Sequence, residues 1–428
     1  MFRTLKISFA FALTLALTLT MSVTAKAQKT HQDWLRTAVR DVCPAGPQDS
    51  LSVQQALPGA WFLNETVSPQ GQAFSRQEQH FALPDGELHI TRIDTGGELR
   101  RFTAEIFLKD STKLEPFMQV QTDATCTPRS SRRIIHQSDG RVVLEQLDDD
   151  LETLLWKETM QAPWPQGSEP KGPRVALIDS GLAYDLPMFQ NRLARDAKGK
   201  PLGYDFWDLD PLPYDGDTSR NVFQPIRHGT PVASILVREA PDAALIPFRY
   251  PRPDMARMGD LIDQIAKTGA RIISMPLGST NPKSWVAFEK AMRAHPQLLA
   301  IVSAGNSGHN VDAAPLWPGA LELDNMIVVT SSDDFGRLAE GSNWGASSVD
   351  LMVPAENQPV IDFRGSKGRA SGTSYAVPRL AALAARLLAA KPTLTTKDLK
   401  EEIFARAIPP RGGGQLVSKG WIVDPDRD

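Results

Sequence analysis

The sequence contains little cysteine, few aromatic residues and almost no net charge. Its 428 residues include two cysteines, which excludes a disulfide-rich scaffold and a four-cysteine zinc site. The 47 basic and 50 acidic residues give a formal charge of −3, which indicates neither nucleic acid nor an anionic membrane surface as a partner. The 41% hydrophobic content is typical of a globular protein, and the length suits two or three domains.

The only long apolar stretch lies at the N-terminus. Arg3 and Lys6 precede apolar residues 7–23, and Ala25-Lys26-Ala27 then places small residues at both positions of a cleavage site. This pattern predicts a secretory signal peptide over residues 1–27 and a periplasmic or extracellular location. A retained membrane anchor is the alternative. No later segment reaches the roughly 18 consecutive apolar residues that a membrane span needs.

Export of the protein would determine the expected redox state of its two cysteines. An oxidising compartment favours disulfide formation, so Cys43 and Cys126 are predicted to be bonded. Two buried free thiols are the alternative, because the sequence does not give the distance between them.

Residues 28–160 have the pattern of a β-rich domain. A short helix is predicted over residues 34–42, and the segments 87–93 and 141–147 alternate apolar and polar residues as half-buried antiparallel strands do. No group of residues here has the composition of a catalytic site. The domain is interpreted as a propeptide removed by self-cleavage, a retained accessory domain or a regulatory cover that inhibits within the chain, and we favour the retained domain.

The pattern changes after a linker rich in Pro, Gly and Ser, residues 161–173. Short continuous apolar runs, which are typical of strands buried on both faces of a parallel sheet, alternate with helical patterns in residues 174–428. We therefore predict an α/β domain, with a parallel sheet flanked by helices, that follows the smaller β-rich domain. The apolar runs are residues 175–178, 272–275, 298–302 and 326–329.

Four polar residues occur where such a domain places chemistry. Asp179 ends an apolar run, and His228 precedes a predicted helix. Asn306 has a glycine on either side, at 305 and 308, and Ser374 lies at the start of an Ala- and Leu-rich helix. Each has an ordinary structural alternative, as a turn residue, a packed histidine or a helix cap. A neutral His228 could serve as a general base, the Asn306 amide could donate to a developing oxyanion, and the helix start at Ser374 favours negative charge on a neighbouring oxygen.

In this order, Asp, His, Asn and Ser, the chain resembles the subtilisin-like serine proteases, the subtilases of peptidase family S8. The resemblance covers residues 173–424, and the segments 273–278, 342–345 and 420–424 extend it. It implies an exported serine endopeptidase that hydrolyses a protein or peptide substrate, with Ser374 as nucleophile, His228 as base, Asp179 as its partner and Asn306 in the oxyanion hole.

The resemblance also implies a substrate cleft. Leu277 and Gly278 would line one wall of the specificity pocket, and residues Ser303, Ala304 and Gly305 another. The sequence departs from the family pattern at three positions near the site: Pro231 replaces a histidine, Tyr375 a methionine, and Pro276 a small residue. Pro276 removes a backbone donor from the substrate-lining strand, so substrate binding is expected to be atypical.

No cofactor or resident metal is predicted. A group of aspartates could bind Ca²⁺, although a solvated acidic loop is the interpretation we favour; its members are Asp205, Asp208, Asp210, Asp215 and Asp217. Two other function classes compete with the endopeptidase: a silent or autoinhibited binding protein on the same scaffold, and an acid-acting sedolisin-type peptidase. The His228 segment disfavours the second. The sequence carries no signal for an oligomeric state.

Overall fold

The computed structural model describes residues 30–427, apart from residues 48, 71–73, 112, 253 and 410–414. The predicted signal peptide, residues 1–27, lies outside the described residues. The chain forms two large sheets, one on each side of the segment 162–173. None of the helices in the described ranges is long and apolar enough to cross a membrane.

The first sheet is an antiparallel meander in which each strand pairs with the next along the chain. Strand β3 shows why the alternating pattern predicted it, because buried and half-buried residues alternate along its length. Two helices precede the sheet, α1 (His31–Thr37), which continues as a π-helix over Ala38–Val42, and α2 (Ser50–Ala56). The strands are β1 (Trp61–Gln70), β2 (Phe74–Leu83), β3 (Gly86–Thr95), β4 (Glu98–Asp110), β5 (Lys113–Thr122), β6 (Pro128–His136), β7 (Val142–Leu147) and β8 (Leu154–Gln161).

A disulfide joins the helical segment to this sheet. Cys43, which follows the π-helix, is bonded to Cys126 in the turn between β5 and β6, as the export prediction suggested. Both helices and the inner face of the sheet share one apolar core, to which Leu35, Phe81 and Ile106 contribute fully buried side chains. The alternative of two free thiols is wrong.

The second sheet is parallel throughout, with the strand order β10-β11-β9-β12-β13-β14-β15-β18. Its strands are β9 (Arg174–Asp179), β10 (Tyr204–Asp205), β11 (Ala244–Arg249), β12 (Ile272–Met275), β13 (Leu299–Ser303), β14 (Met326–Ser332), β15 (Leu351–Pro354) and β18 (Gly420–Trp421). The helices are α3 (Pro187–Gln190), α4 (Gly229–Glu239), α5 (Met258–Ala266), α6 (Val286–Ala294), α7 (Thr373–Ala390) and α8 (Thr396–Phe404).

Helices cover both faces of this sheet, and its central strands are therefore buried. The predicted fold class, a parallel sheet flanked by helices after a smaller β-rich domain, is confirmed. Alternate residues of each strand enter two separate cores, one of which contains helices α4 and α7. A small antiparallel hairpin lies between β15 and α7, and the sequence analysis did not predict it. Its strands are β16 (Gln358–Ile361) and β17 (Lys367–Ala370). Its strands are short and largely exposed, so they lack the apolar run that identified the others.

Candidate active site

The strand β9 ends at Asp179, close to the middle of the parallel sheet and at its carboxyl edge. The chain then turns sharply at Gly181, whose φ is +109° and where an added Cβ would lie 2.4 Å from the Tyr214 carbonyl oxygen. A Cβ at Gly229 would lie 1.9 Å from the Gly181 carbonyl oxygen. The two glycines therefore allow the Asp-Ser-Gly and His-Gly-Thr segments to meet backbone to backbone.

This contact brings Asp179 and His228 together. Asp179 is 1% exposed, and its Oδ1 lies 2.7 Å from Nδ1 of His228, whose side chain is 29% exposed. Burial opposes protonation of the imidazole, but the charge of Asp179 and its hydrogen bond outweigh burial, so the pKa of His228 is raised above its usual value. A neutral His228 that donates from Nδ1 to the carboxylate keeps Nε2 as an acceptor.

A second carboxylate supports this pair from behind. Asp215 is fully buried; it accepts hydrogen bonds from the Ser180 hydroxyl at 2.6 Å and from the Thr230 backbone N–H at 2.9 Å. The Ser180 oxygen in turn accepts the backbone N–H groups of His228 at 3.1 Å and Gly229 at 2.9 Å. Burial raises the pKa of Asp215. The backbone that carries His228 is thus held by a chain of buried hydrogen bonds.

The Asn306 amide is oriented by the start of helix α7. Its Oδ1 accepts the Thr373 backbone N–H at 2.9 Å and the Thr373 hydroxyl at 3.0 Å. Gly372 makes room for it, since a Cβ there would lie 3.2 Å from that oxygen and φ is +126°. Because the oxygen is occupied, the amide NH₂ is the end that faces outward. The buried Asn343 holds the loop itself, through the Ala304 carbonyl at 2.8 Å and the Ser307 N–H at 2.9 Å.

Ser374 is the second residue of α7 and is half-buried. Its neighbour Tyr375 places the helix start beside the histidine, with the Tyr375 and His228 ring centroids 6.2 Å apart. Within the part of the chain that the structure describes, the Ser374 hydroxyl has no hydrogen-bond partner. The first N–H groups of a helix also favour negative charge at this end.

A cleft of about 540 Å³ opens beside Asp179 and His228. The predicted residues Leu277 and Gly278 line it, with Tyr250 and Trp285. Ser303, Ala304 and Gly305 do not line it; Ser303, the last residue of β13, and Ala304 are buried.

One residue that the sequence analysis missed lies between the two predicted walls. A Cβ added at Gly305 would meet Cδ2 of Leu316 at 2.6 Å, and one added at Gly278 would meet the same atom at 3.1 Å. The Leu316 side chain therefore fills the space between the two glycines. No motif in the sequence marks this leucine, because its position depends on the folding of a loop some 40 residues from Gly278.

The chain matches the family model described as the subtilase family over residues 170–421, more than half of its length. It belongs to the subtilase family. With that membership it is identified as a subtilisin-like serine endopeptidase.

Individual relatives of this subtilase align with the same region. A thermophilic serine proteinase of Bacillus sp. strain AK1 is 29% identical over 240 residues, which cover 52% of this chain and 54% of that protein. Thermitase of Thermoactinomyces vulgaris is 26% identical over 270 residues, covering 60% of this chain and 88% of that one. The crystal structure of a lanthipeptide protease superposes with a TM-score of 0.50 at 20% identity, covering 60% of this chain and 89% of the other, and shows the shared fold.

The acidic loop of this subtilase uses its carboxylates within the protein. Asp205 and Asp215 are buried, so a solvated loop is the wrong interpretation for them. Arg249 pairs with Asp205 at 2.9 Å and also with Asp208, while Asp217 accepts from the Tyr250 hydroxyl at 2.9 Å.

A group able to ligate a metal lies elsewhere among the described residues, on the N-terminal sheet: His80, Glu87 and His89. The two imidazoles stack 3.6 Å apart. His89 pairs with Glu87 at 2.8 Å and His80 with Glu78 at 3.4 Å, so each histidine already has a carboxylate partner.

Proposed function

We propose that this subtilase is an exported endopeptidase that uses Ser374, His228 and Asp179 as a catalytic triad. The observation that carries the proposal is the buried Asp179–His228 hydrogen bond of 2.7 Å, with the start of the Ser374 helix beside the imidazole. The arrangement supports the proposal, because serine catalysis requires a base of fixed tautomer and a nucleophilic hydroxyl beside it.

In the proposed reaction the Ser374 oxygen attacks the carbonyl carbon of the scissile bond while its proton passes to Nε2 of His228. The tetrahedral intermediate collapses, the C–N bond breaks, and the leaving amine takes that proton. Water then enters, gives a proton to His228 and attacks the acyl group, and Ser374 recovers its proton as the carboxylic acid leaves. Asp179 stabilises the imidazolium each time it forms.

The Asn306 amide would stabilise the oxyanion together with the Ser374 backbone N–H. Because Thr373 holds the amide oxygen by two hydrogen bonds, the NH₂ group is preorganised before substrate binds. A preorganised donor costs no reorganisation when charge develops, which is the source of its catalytic effect.

The substrate would be an extended protein or peptide segment in the cleft beside Leu277 and Gly278. The residue before the cleaved bond would lie near Leu316, whose side chain occupies the space between Gly278 and Gly305 and would limit the depth of its pocket. We therefore propose a preference for small residues at that position.

The proposal is tested with a fluorophosphonate probe at neutral pH on wild-type protein, Ser374→Ala and Ser371→Ala. Ser371 is an exposed serine of the same segment and serves as the matched control. We expect labelling of the wild type and the control, and none of Ser374→Ala. A folded wild-type protein that is not labelled would contradict the proposal. It would favour the alternative function, a silent or autoinhibited binding protein on the same scaffold.

Export is tested separately, by determining the N-terminus of the protein recovered from outside the cytoplasm. We expect it to begin at residue 28, after cleavage at Ala27. A chain that keeps residue 1 would favour the retained anchor.

A further inference from the structure

The N-terminal sheet touches the loop that leads to His228. Residues 217–226 form a closed loop, since the Asp217 and Ile226 backbones exchange hydrogen bonds of 2.8 and 2.9 Å. Near its tip, Phe223 is 0% exposed and packs against Ile134 of β6 and Leu144 of β7. The catalytic domain therefore inserts an aromatic side chain into the face of the N-terminal sheet.

Polar contacts fix the tip of this loop on the sheet. The Arg132 guanidinium donates to the Phe223 carbonyl oxygen at 2.5 Å, and the Gln224 side-chain amide donates to that of Gln121 at 2.9 Å. A buried aromatic side chain surrounded by hydrogen-bonded polar groups is typical of a specific protein interface.

A buried ion pair then joins the N-terminal domain to the residue before His228. Glu158 on β8 and Arg227 each have side chains that are 5% exposed, and they lie 3.4 Å apart. Arg364 donates to the other Glu158 oxygen at 2.7 Å. The Arg227 guanidinium also lies 4.8 Å from the ring centroid of Phe363. Buried charges at these positions require each other, because neither can be hydrated.

Ser180 holds the backbone of His228 directly, and the preceding residue, Arg227, is anchored through its own side chain. Ser180, backed by Asp215, accepts the His228 and Gly229 N–H groups, and Glu158 anchors the side chain of Arg227. The first support belongs to the catalytic domain, whereas the second belongs to the N-terminal domain. The charged groups that act on the imidazole are Asp179 and Asp215, and the Tyr375 ring lies beside it. Arg227 in turn acts on Asp215, where its positive charge opposes the rise in pKa that burial causes.

The linker between the domains follows a course outside the cleft. The Ala162 carbonyl accepts the Tyr184 hydroxyl at 2.5 Å, and the Trp164 ring lies 4.2 Å from that of Tyr184. Further along, Glu169 pairs with Arg174 at 2.7 Å. Of the described residues that line the cleft, none belongs to 30–173. A segment that is packed in this way is poorly placed to enter its own active site.

We propose that the N-terminal domain stays in the active enzyme and that Glu158, through Arg227, positions His228. Glu158 is a positioning residue, and the domain acts as a permanent support for the catalytic base. The proposal rests on the proposed endopeptidase function, and it replaces the propeptide and inhibitory-cover interpretations of residues 28–160.

The test compares Glu158→Gln with Glu145→Gln in the full chain. Glu145 is the matched control, because it pairs with Arg133 inside the N-terminal domain at 2.7 Å. Active sites are counted with the fluorophosphonate probe, so that kcat refers to labelled sites only. We expect kcat of Glu158→Gln to fall about 10-fold or more with KM nearly unchanged, since a small misplacement of a catalytic group costs up to about 100-fold.

The pH profile separates positioning from loss of folded protein. Glu158→Gln removes the counter-charge of Arg227, the residue before His228 in the chain, and the uncompensated cation disfavours the imidazolium. The acid limb of kcat/KM is then expected to move to lower pH by roughly half a unit. Glu158→Asp keeps the charge but shortens the reach, so it should lower kcat per site without moving the limb. A purely structural role would lower the number of labelled sites and leave both quantities unchanged.

Two further measurements do not require peptide hydrolysis, and the second does not require an active nucleophile. Mass spectrometry of the labelled protein should give a chain that still contains the N-terminal domain. NMR titration of His228, assigned with a His228→Gln variant, should show the same shift to lower pH in Glu158→Gln. A labelled species that lacks residues 30–161, or a His228 titration equal to that of Glu145→Gln, would overturn the proposal. An unlabelled wild type with a shifted His228 titration would refute the peptidase function alone.

Discussion

Replacing Leu316 with alanine is expected to change the residue that the enzyme accepts before the cleaved bond. The leucine occupies the space between Gly278 and Gly305, where a Cβ on either glycine would approach its Cδ2 within 3.1 Å. Leu316→Ala removes three carbons and opens that space to a larger substrate side chain. At about 0.8 kcal/mol per buried methylene, the gain for a substrate that fills the space is at most about 2.4 kcal/mol, or about 50-fold.

The assay measures kcat/KM for two peptides that differ only in having alanine or phenylalanine before the scissile bond. Their ratio should move toward phenylalanine by about 10- to 50-fold in Leu316→Ala. Leu321→Ala is the control, because Leu321 is half-buried against the same apolar core. An unchanged ratio in Leu316→Ala, or an equal change in the control, would show that this pocket does not receive the substrate side chain.

Three further predictions concern the proposed triad and the N-terminal domain. Asn306→Ala should lower kcat with little change in KM, as a steady-state or stopped-flow assay can measure. For the equivalent donor in subtilisin, of the same family, the measured loss of kcat is roughly 100- to 1,000-fold. Because the pKa of His228 is raised, the midpoint of the acid limb of kcat/KM should lie above the ordinary histidine pKa of about 6.5. A pH profile of kcat/KM tests this, and a midpoint near pH 4 would instead favour the acid-acting peptidase. Replacing both Cys43 and Cys126 by serine, which opens a span of 83 residues, should destabilise the N-terminal domain by roughly 2–5 kcal/mol in denaturant unfolding under oxidising conditions, whereas an unchanged midpoint would contradict a stabilising bond.

Much of the catalytic domain could be predicted because its strands are buried on both faces. Such strands leave continuous apolar runs in the sequence, and the polar residue that ends a run lies at the edge of the sheet where catalysis occurs. Asp179 was predicted in this way, whereas His228 and Ser374 were predicted from the helices that they begin and Asn306 from the glycines on either side of it. The exposed hairpin of β16 and β17 leaves no such run, and it was missed.

The residues that hold the site in place could not be predicted, since their roles depend on contacts between distant parts of the chain. Asp215 looks like one of several loop aspartates in the sequence, yet it is the buried group that holds Ser180 and Thr230. Glu158 and Arg227 are 69 residues apart, and only the folded chain brings them together. Leu316 likewise becomes meaningful only beside Gly278 and Gly305. Burial of a polar residue is set by tertiary packing, for which one sequence contains no direct signal.

The two sheets differ in how far along the chain their partners lie. Each described strand of the N-terminal meander pairs with its immediate neighbour, so that domain can form from local contacts as soon as residue 161 is present. The parallel sheet is completed by β18 at residues 420–421, and Ser374 is the last of the four proposed catalytic residues to be synthesised. The growing chain therefore presents a folded N-terminal surface to residues 217–226 well before it carries a nucleophile. In the proposed enzyme, the nucleophile is therefore synthesised only after the N-terminal domain has been completed.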